Sequence, residues 1–225
     1  MTPNSLERTA EGPRILVTGF EPFPGAPVNP TQALVKRLRD RPPTLLLAGA
    51  FRAELLPVDY QAVGPRLSEI GRSFRPDIAI HFGLAADCRG FRLERVGRNA
   101  FLDARPDNRG FSPCDGPICA GPASLLSTLP LRAIHDALSA EGLPVGWSSD
   151  AGGYLCDLVL TLSLSCSCKG FAPQMSGFVH VPLIGPDREM SEADLDRGVR
   201  IILSIAALEW SKLAGSSTQT MAAPD

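Results

Sequence analysis

Arg14-Ile15-Leu16-Val17-Thr18-Gly19-Phe20 is the stretch that sets the fold class. Its apolar residues run together instead of alternating, the pattern of a strand buried on both faces, and a glycine turn ends it. Asp77-Ile78-Ala79-Ile80-His81-Phe82-Gly83 has the same character. Between the two, Glu21 to Asn29 is a loop holding Pro22, Pro24, Gly25 and Pro27. Asn29 can cap, and Pro30 can start, a helix carrying Ala33, Leu34, Val35 and Leu38. Leu45 to Leu56 supplies one or two strands. Tyr60 to Phe74 carries Val63, Leu67 and Ile70 at helical spacing until Pro76 breaks the pattern. Strand, helix, strand, helix in this order predicts the α/β class, with a largely parallel sheet covered on both faces.

Downstream the same logic continues. Arg89 to Val96 is extended, and residues 103–122 form a long loop rich in Pro, Gly, Asp and Asn. Leu131 to Ala140 is a helix closed by Gly142, Pro144 to Trp147 a short strand, and Tyr154 to Ser165 a helix. Gly177 to Pro182 is another buried strand. Ser191 caps a last helix in which Ile201, Ile202, Ile205, Leu208 and Leu213 face inward. Residues 1–12 are expected as a flexible arm, 13–214 as a single α/β domain and 215–225 as a flexible tail.

At 225 residues the chain suits one domain with a sizeable core. Its formal charge of −2 and the absence of a Lys/Arg block argue against nucleic acid or an anionic membrane surface as the main partner. No apolar run is long enough to span a bilayer, and Met1 to Gly12 lacks the apolar core of a signal peptide. A cytoplasmic protein is the expectation. In that compartment Cys88, Cys114, Cys119, Cys156, Cys166 and Cys168 are expected to be reduced. Cys114 and Cys119 share a loop and could approach each other. No second ligand pair has zinc-finger spacing, so structural zinc ranks well below catalysis by one cysteine.

The chemistry concentrates in Ser148-Ser149-Asp150-Ala151-Gly152-Gly153-Tyr154-Leu155-Cys156-Asp157. Paired glycines permit a sharp turn, and Cys156 then sits at the start of a helix. The positive end of the helix dipole favours thiolate over thiol, and thiolate is the nucleophile. The competing reading is a small buried apolar residue, the fate of most free cysteines. A nucleophilic cysteine needs a histidine base and a group to orient it. Of the three histidines, His135 lies beside Arg132 and Asp136 on a helix surface. His81 and His180 both sit in apolar strands, where a satisfied core histidine is the competing reading for each, and the residues alone give His180 only a modest edge. For the orienting carboxylate, Glu94 alternates with apolar neighbours, yet pairing with Arg92 or Arg95 at the surface is the commoner outcome. Asp150 and Asp157 are rivals.

At these residues the sequence resembles the type I pyroglutamyl peptidases, from Ile15 to about Leu183. Ile15-Leu16-Val17-Thr18-Gly19-Phe20-Glu21-Pro22-Phe23 with Val28-Asn29-Pro30 is similar to the family's N-terminal signature. Glu94-Arg95-Val96 with Asn99, Ala151 to Asp157, and Gly177 to Pro182 resemble the segments carrying its glutamate, cysteine and histidine. Pro106-Asp107-Asn108 matches a loop motif. The resemblance implies a triad of Cys156, His180 and Glu94, and a three-layer α/β/α sandwich with a mixed, largely parallel sheet. It further implies no metal and no cofactor, a cytosolic homotetramer, and removal of an N-terminal pyroglutamyl residue from small peptides. It places Phe20, Phe23, Asn29, Tyr154, Leu155 and Arg105 around the substrate. Pro24, the Leu84-Ala85-Ala86-Asp87-Cys88 run, the register of Arg105 and the Asp103–Gly121 loop depart from the family pattern. The Leu84–Cys88 run motivates a second reading, a non-peptidase homologue that binds a small lactam or related ligand.

Overall fold

The computed structural model describes residues 12–45, 47–185 and 187–219, with side chains as far as Ala214. In chain order the elements are β1 (Arg14–Phe20), α1 (Pro30–Asp40), β2 (Ala50–Leu56), α2 (Tyr60–Phe74), β3 (Ile78–Leu84), β4 (Phe91–Glu94) and β5 (Val96–Arg98). There follow β6 (Ser124–Leu126), α3 (Leu131–Ala140), β7 (Val145–Ser148), α4 (Leu155–Leu164), β8 (Met175–Val181) and α5 (Glu192–Gln219). Six strands form one sheet in the order β2-β1-β3-β8-β4-β7. All neighbours run parallel except β8 and β4, which are antiparallel. The sheet is therefore mixed and largely parallel, as expected.

Side-chain alternation divides the core in two. Ile15, Val17, Ile80 and Val179 pack with Leu34, Ile134 and Ile202, so α1, α3 and α5 cover one face. Leu16, Ala79 and Phe178 pack with Leu67, Ile70 and Leu158, so α2 and α4 cover the other. Strands buried on both faces need no polar alternation, which is why β1 and β3 read as continuous apolar runs.

Local signals act as the residue types demand. Asn29 Oδ1 accepts from the Thr31 amide at 3.0 Å and caps α1, with Pro30 as its first residue. Asp59 Oδ1 accepts from the Gln61 and Ala62 amides at the start of α2. Ser191 Oγ accepts from the Asp194 amide at 3.1 Å and caps α5.

Three details differ from expectation. Leu208 and Leu213 of α5, expected to face inward, are exposed. The Arg89–Val96 segment splits after Glu94, and β5 leaves the main sheet to pair with β6, a strand the sequence did not signal. Helix α5 continues to Gln219, into the stretch expected as a tail from Gly215, since each added residue of a formed helix gains a hydrogen bond. The rest of that tail, from residue 220, and the arm 1–11 lie outside the described residues.

The two strand histidines have different fates. His81 is fully buried, and its Nδ1 pairs with Thr18 Oγ1 at 2.8 Å. Burial lowers its pKa to about 3. The imidazole is neutral in the fold but protonates near 6.5 when unfolded, so its contribution is complete above pH 6.5 and is lost as the pH falls toward 3. Thermal melts should lose stability across this window by up to about 1.4 kcal/mol per pH unit from this group. A His81→Asn variant should lose measurably less between pH 6.5 and 4.5. Equal losses in both proteins would refute the assignment.

Candidate active site

Residues from four elements meet at the carboxyl ends of β1, β3 and β8, the usual place for a site on a parallel sheet. The register shows how. Thr18, His81, Phe178 and Glu94 lie in one row across β1, β3, β8 and β4, and Gly83, His180 and Arg92 form the row above. Because β4 runs against β8, Glu94 is diagonal to His180 on the same face, within reach of a long side chain. His180 Nδ1 lies 2.7 Å from Glu94 Oε1. Glu94 is 0% and His180 3% exposed, so this bond is shielded from water. An ionised carboxylate only accepts, so Nδ1 carries the proton and Nε2 is left for other work.

The surface-pairing expectation for Glu94 is thereby corrected. Arg92 does approach it, with Nε 3.5 Å from Oε1, but the carboxylate is buried against the histidine. Arg95 instead donates to Ser149 Oγ at 2.8 Å. The rival carboxylates serve the glycine turn. Asp150 accepts from the Gly152 amide and pairs with Arg98, and Asp157 accepts from the Gly153 and Arg98 amides. Gly152 and Gly153 adopt φ of +90° and +63°, conformations that L side chains rarely tolerate.

That turn delivers Cys156 into the first turn of α4, on the wall of a cavity of about 540 Å³ that His180 also lines. Gly83 makes room for it. A Cβ there would stand 2.6 Å from the Phe178 ring and 3.1 Å from Cys156 Sγ. The expected thiolate is not what the surroundings favour. Burial pushes the thiol up to about 12, and the nearby Asp157 and Glu94 carboxylates add to this against the helix dipole. These surroundings favour the thiol over the thiolate.

Every residue expected around the substrate lines this cavity: Phe20, Phe23, Asn29, Arg105, Tyr154 and Leu155. Phe20 is also core, 6.3 Å from the Phe178 ring, while Phe23 meets Tyr154 at 5.9 Å. The Arg105 guanidinium lies 4.6 Å from the Tyr154 ring centre, whose hydroxyl donates to the Pro106 carbonyl. Pro24 fits without strain. It takes the second position, and Gly25 with φ +90° the third, of a turn closed by Ala26 N–H to the Phe23 carbonyl, as a type II turn requires.

The long loop is fixed by side-chain clamps. Asp107 accepts from the Tyr60, Arg109 and Phe111 amides, and Asn108 donates to the Pro22 carbonyl. Asn99 holds Cys119 and Pro122. Cys119 is thus engaged by Asn99 and, at 3.5 Å, by Ser165. Asp87 and Arg92 also line the cavity, and sequence reasoning did not place them there. The signal was the alternation that puts Arg92 two residues before Glu94 on one side of a strand.

A family model for pyroglutamyl peptidase matches residues 13–208. The chain belongs to the pyroglutamyl peptidase family. It is 41% identical over 174 residues to pyrrolidone-carboxylate peptidase of Pyrococcus furiosus, covering 76% of this chain and 81% of that protein. The Clavibacter michiganensis pyrrolidone-carboxylate peptidase is 38% identical over 189 residues, covering 81% and 86%. Among solved structures, the Thermococcus litoralis pyrrolidone carboxyl peptidase aligns with TM-score 0.80 and 30% identity over 89% of this chain and 96% of that one. A variant of the Pyrococcus furiosus protein gives 0.79 and 37%, over 87% and 99%. These likenesses agree with the sandwich built above.

Two measurements probe the site directly. Alkylation of Cys156 by iodoacetamide, followed by peptide mass spectrometry, should accelerate about tenfold per pH unit from 7 to 9, because thiolate is scarce throughout that range. A rate independent of pH would instead reveal a resident thiolate. Gly83→Ala should lower stability by about 1–3 kcal/mol in urea titrations, because the Phe178 ring must move. Unchanged unfolding would sink this reading of the glycine.

Proposed function

We propose that the protein is a cysteine exopeptidase that removes an N-terminal pyroglutamyl residue from peptides through an acyl-enzyme on Cys156. The observation that carries this reading is the buried 2.7 Å contact between His180 Nδ1 and Glu94, beside a cavity that Cys156 shares. Membership of the pyroglutamyl peptidase family supplies the substrate class.

The steps follow from the protonation states. His180 Nε2 takes the proton of the Cys156 thiol as Sγ bonds to the pyroglutamyl carbonyl carbon. Glu94 holds the ring in this tautomer and stabilises its positive charge. Tyr154 gives α4 no side-chain cap, and the Cys156 amide in the first turn is the natural donor to the developing oxyanion. The carbon–nitrogen bond then breaks, and the Nε2 proton passes to the departing amine. Water attacks the thioester, giving one proton to Nε2, which returns it to sulfur as pyroglutamate leaves. Thiol, imidazole and carboxylate supply every group these steps need, so neither metal nor cofactor enters.

The lactam ring is compact and uncharged, and suits apolar walls better than a counter-charge. Phe20, Phe23, Tyr154 and Leu155 provide such walls, Arg105 braces Tyr154, and Asn29 anchors the loop that carries Phe23. Residues 13–214 act here as one catalytic domain. The same reading carries the cytoplasmic setting and the homotetramer implied by the family resemblance. Among the described residues no helix is long and apolar enough to cross a membrane.

A pyroglutamyl fluorogenic amide under reducing conditions tests the proposal. The parent should release the fluorophore and Cys156→Ala should not. Glu94→Gln should lower kcat by roughly 10²- to 10⁴-fold, since it keeps the geometry but not the tautomer. Binding of the lactam with no release by the parent would favour the non-peptidase reading.

A further inference from the structure

We propose that Arg92 is a specificity-determining residue that favours substrates whose leaving residue carries a carboxylate. The inference rests on the peptidase reading of the same site. Arg92 stands directly opposite His180 in the antiparallel β4–β8 register, so the two side chains are neighbours on one face of the sheet. Both line the cavity. His180 must hand its proton to the departing amine, so the leaving residue lies on His180's side. The lactam is left to the aromatic side, where Phe23 meets Tyr154. A guanidinium beside His180 therefore faces the leaving residue.

Its donors are largely uncommitted. Among the described residues the side chain makes one hydrogen bond, from Nη1 to Asp87 Oδ2 at 3.1 Å. Nε is buried without a hydrogen-bond partner and forms only a long ion pair with Glu94 Oε1, at 3.5 Å. A guanidinium presents five donors in a fork that matches a carboxylate. Besides the buried Glu94, the carboxylate now held there is Asp87. Its side chain is 78% exposed, on the Leu84–Cys88 run that departs from the family pattern. An ion pair so open to water contributes little and exchanges readily. A substrate carboxylate enclosed by the cavity would displace Asp87 and bond more strongly, because it is desolvated with its partner. That carboxylate comes either from an acidic side chain on the leaving residue or from the free carboxyl group of a pyroglutamyl dipeptide.

Four substrates separate the two sources: pyroglutamyl-glutamate amide against pyroglutamyl-glutamine amide, and pyroglutamyl-alanine against its amide. The readout is the ratio of kcat/KM within each pair. Ratios cancel any general loss of rate from disturbing Glu94. The parent should favour the acid by about tenfold or more in at least one pair, the scale of a hydrogen bond to a charged group. Arg92→Gln should bring that ratio near one, Arg92→Lys should restore part of it, and Asp87→Asn should raise it. A parent ratio at or below one, or a ratio unchanged in Arg92→Gln, overturns the proposal and leaves the peptidase reading standing. Cleavage of none of the four by the parent overturns both.

Discussion

The hydrogen bond between His180 and Glu94 is the constraint around which the site is organised. A carboxylate with no exposed surface is costly unless it is paired, and its partner lies 86 residues away in sequence. The one antiparallel junction in the main sheet brings them together. Were β4 to run parallel to β8 like its neighbours, Glu94 would point onward from the strand end instead of back beneath the imidazole. The sheet reversal, seldom a functional feature by itself, here orients an imidazole.

The same rows explain why two histidines two rungs apart differ. His81 sits one row deeper, between Thr18 and Phe178, and Phe178 stands between it and Glu94. It stays neutral and serves packing. His180 stands at the rim, with a carboxylate on one nitrogen and the cavity beside it. Cys156 reaches that rim only because position 83 carries no side chain. Strand register, one missing methyl group and a glycine turn thus share the task of assembling three side chains from distant segments.

Much of this was legible in the sequence. Unbroken apolar runs gave β1 and β3, helical spacing and caps gave α1, α2 and α3, and the glycines before Cys156 gave the turn. Three things were not. The partner of Glu94 depends on which strand lies beside β4, and local alternation says nothing about that; only the family resemblance put the three residues together. The protonation state of Cys156 was read from the helix dipole alone, whereas burial and the Asp157 and Glu94 carboxylates push its pKa up. Strand β6 is three residues without a strong pattern, and forms because β5 offers it an edge.

The Phe23-Pro24-Gly25-Ala26 turn has a thermodynamic consequence. Proline fixes one backbone angle in advance, glycine accepts the next without strain, and Asn108 ties the neighbouring Pro22 carbonyl to the long loop. The segment bearing Phe23 therefore has little conformational freedom left to surrender. A ligand closing against that ring meets a wall already in place, and less of its contact energy is spent on ordering the protein.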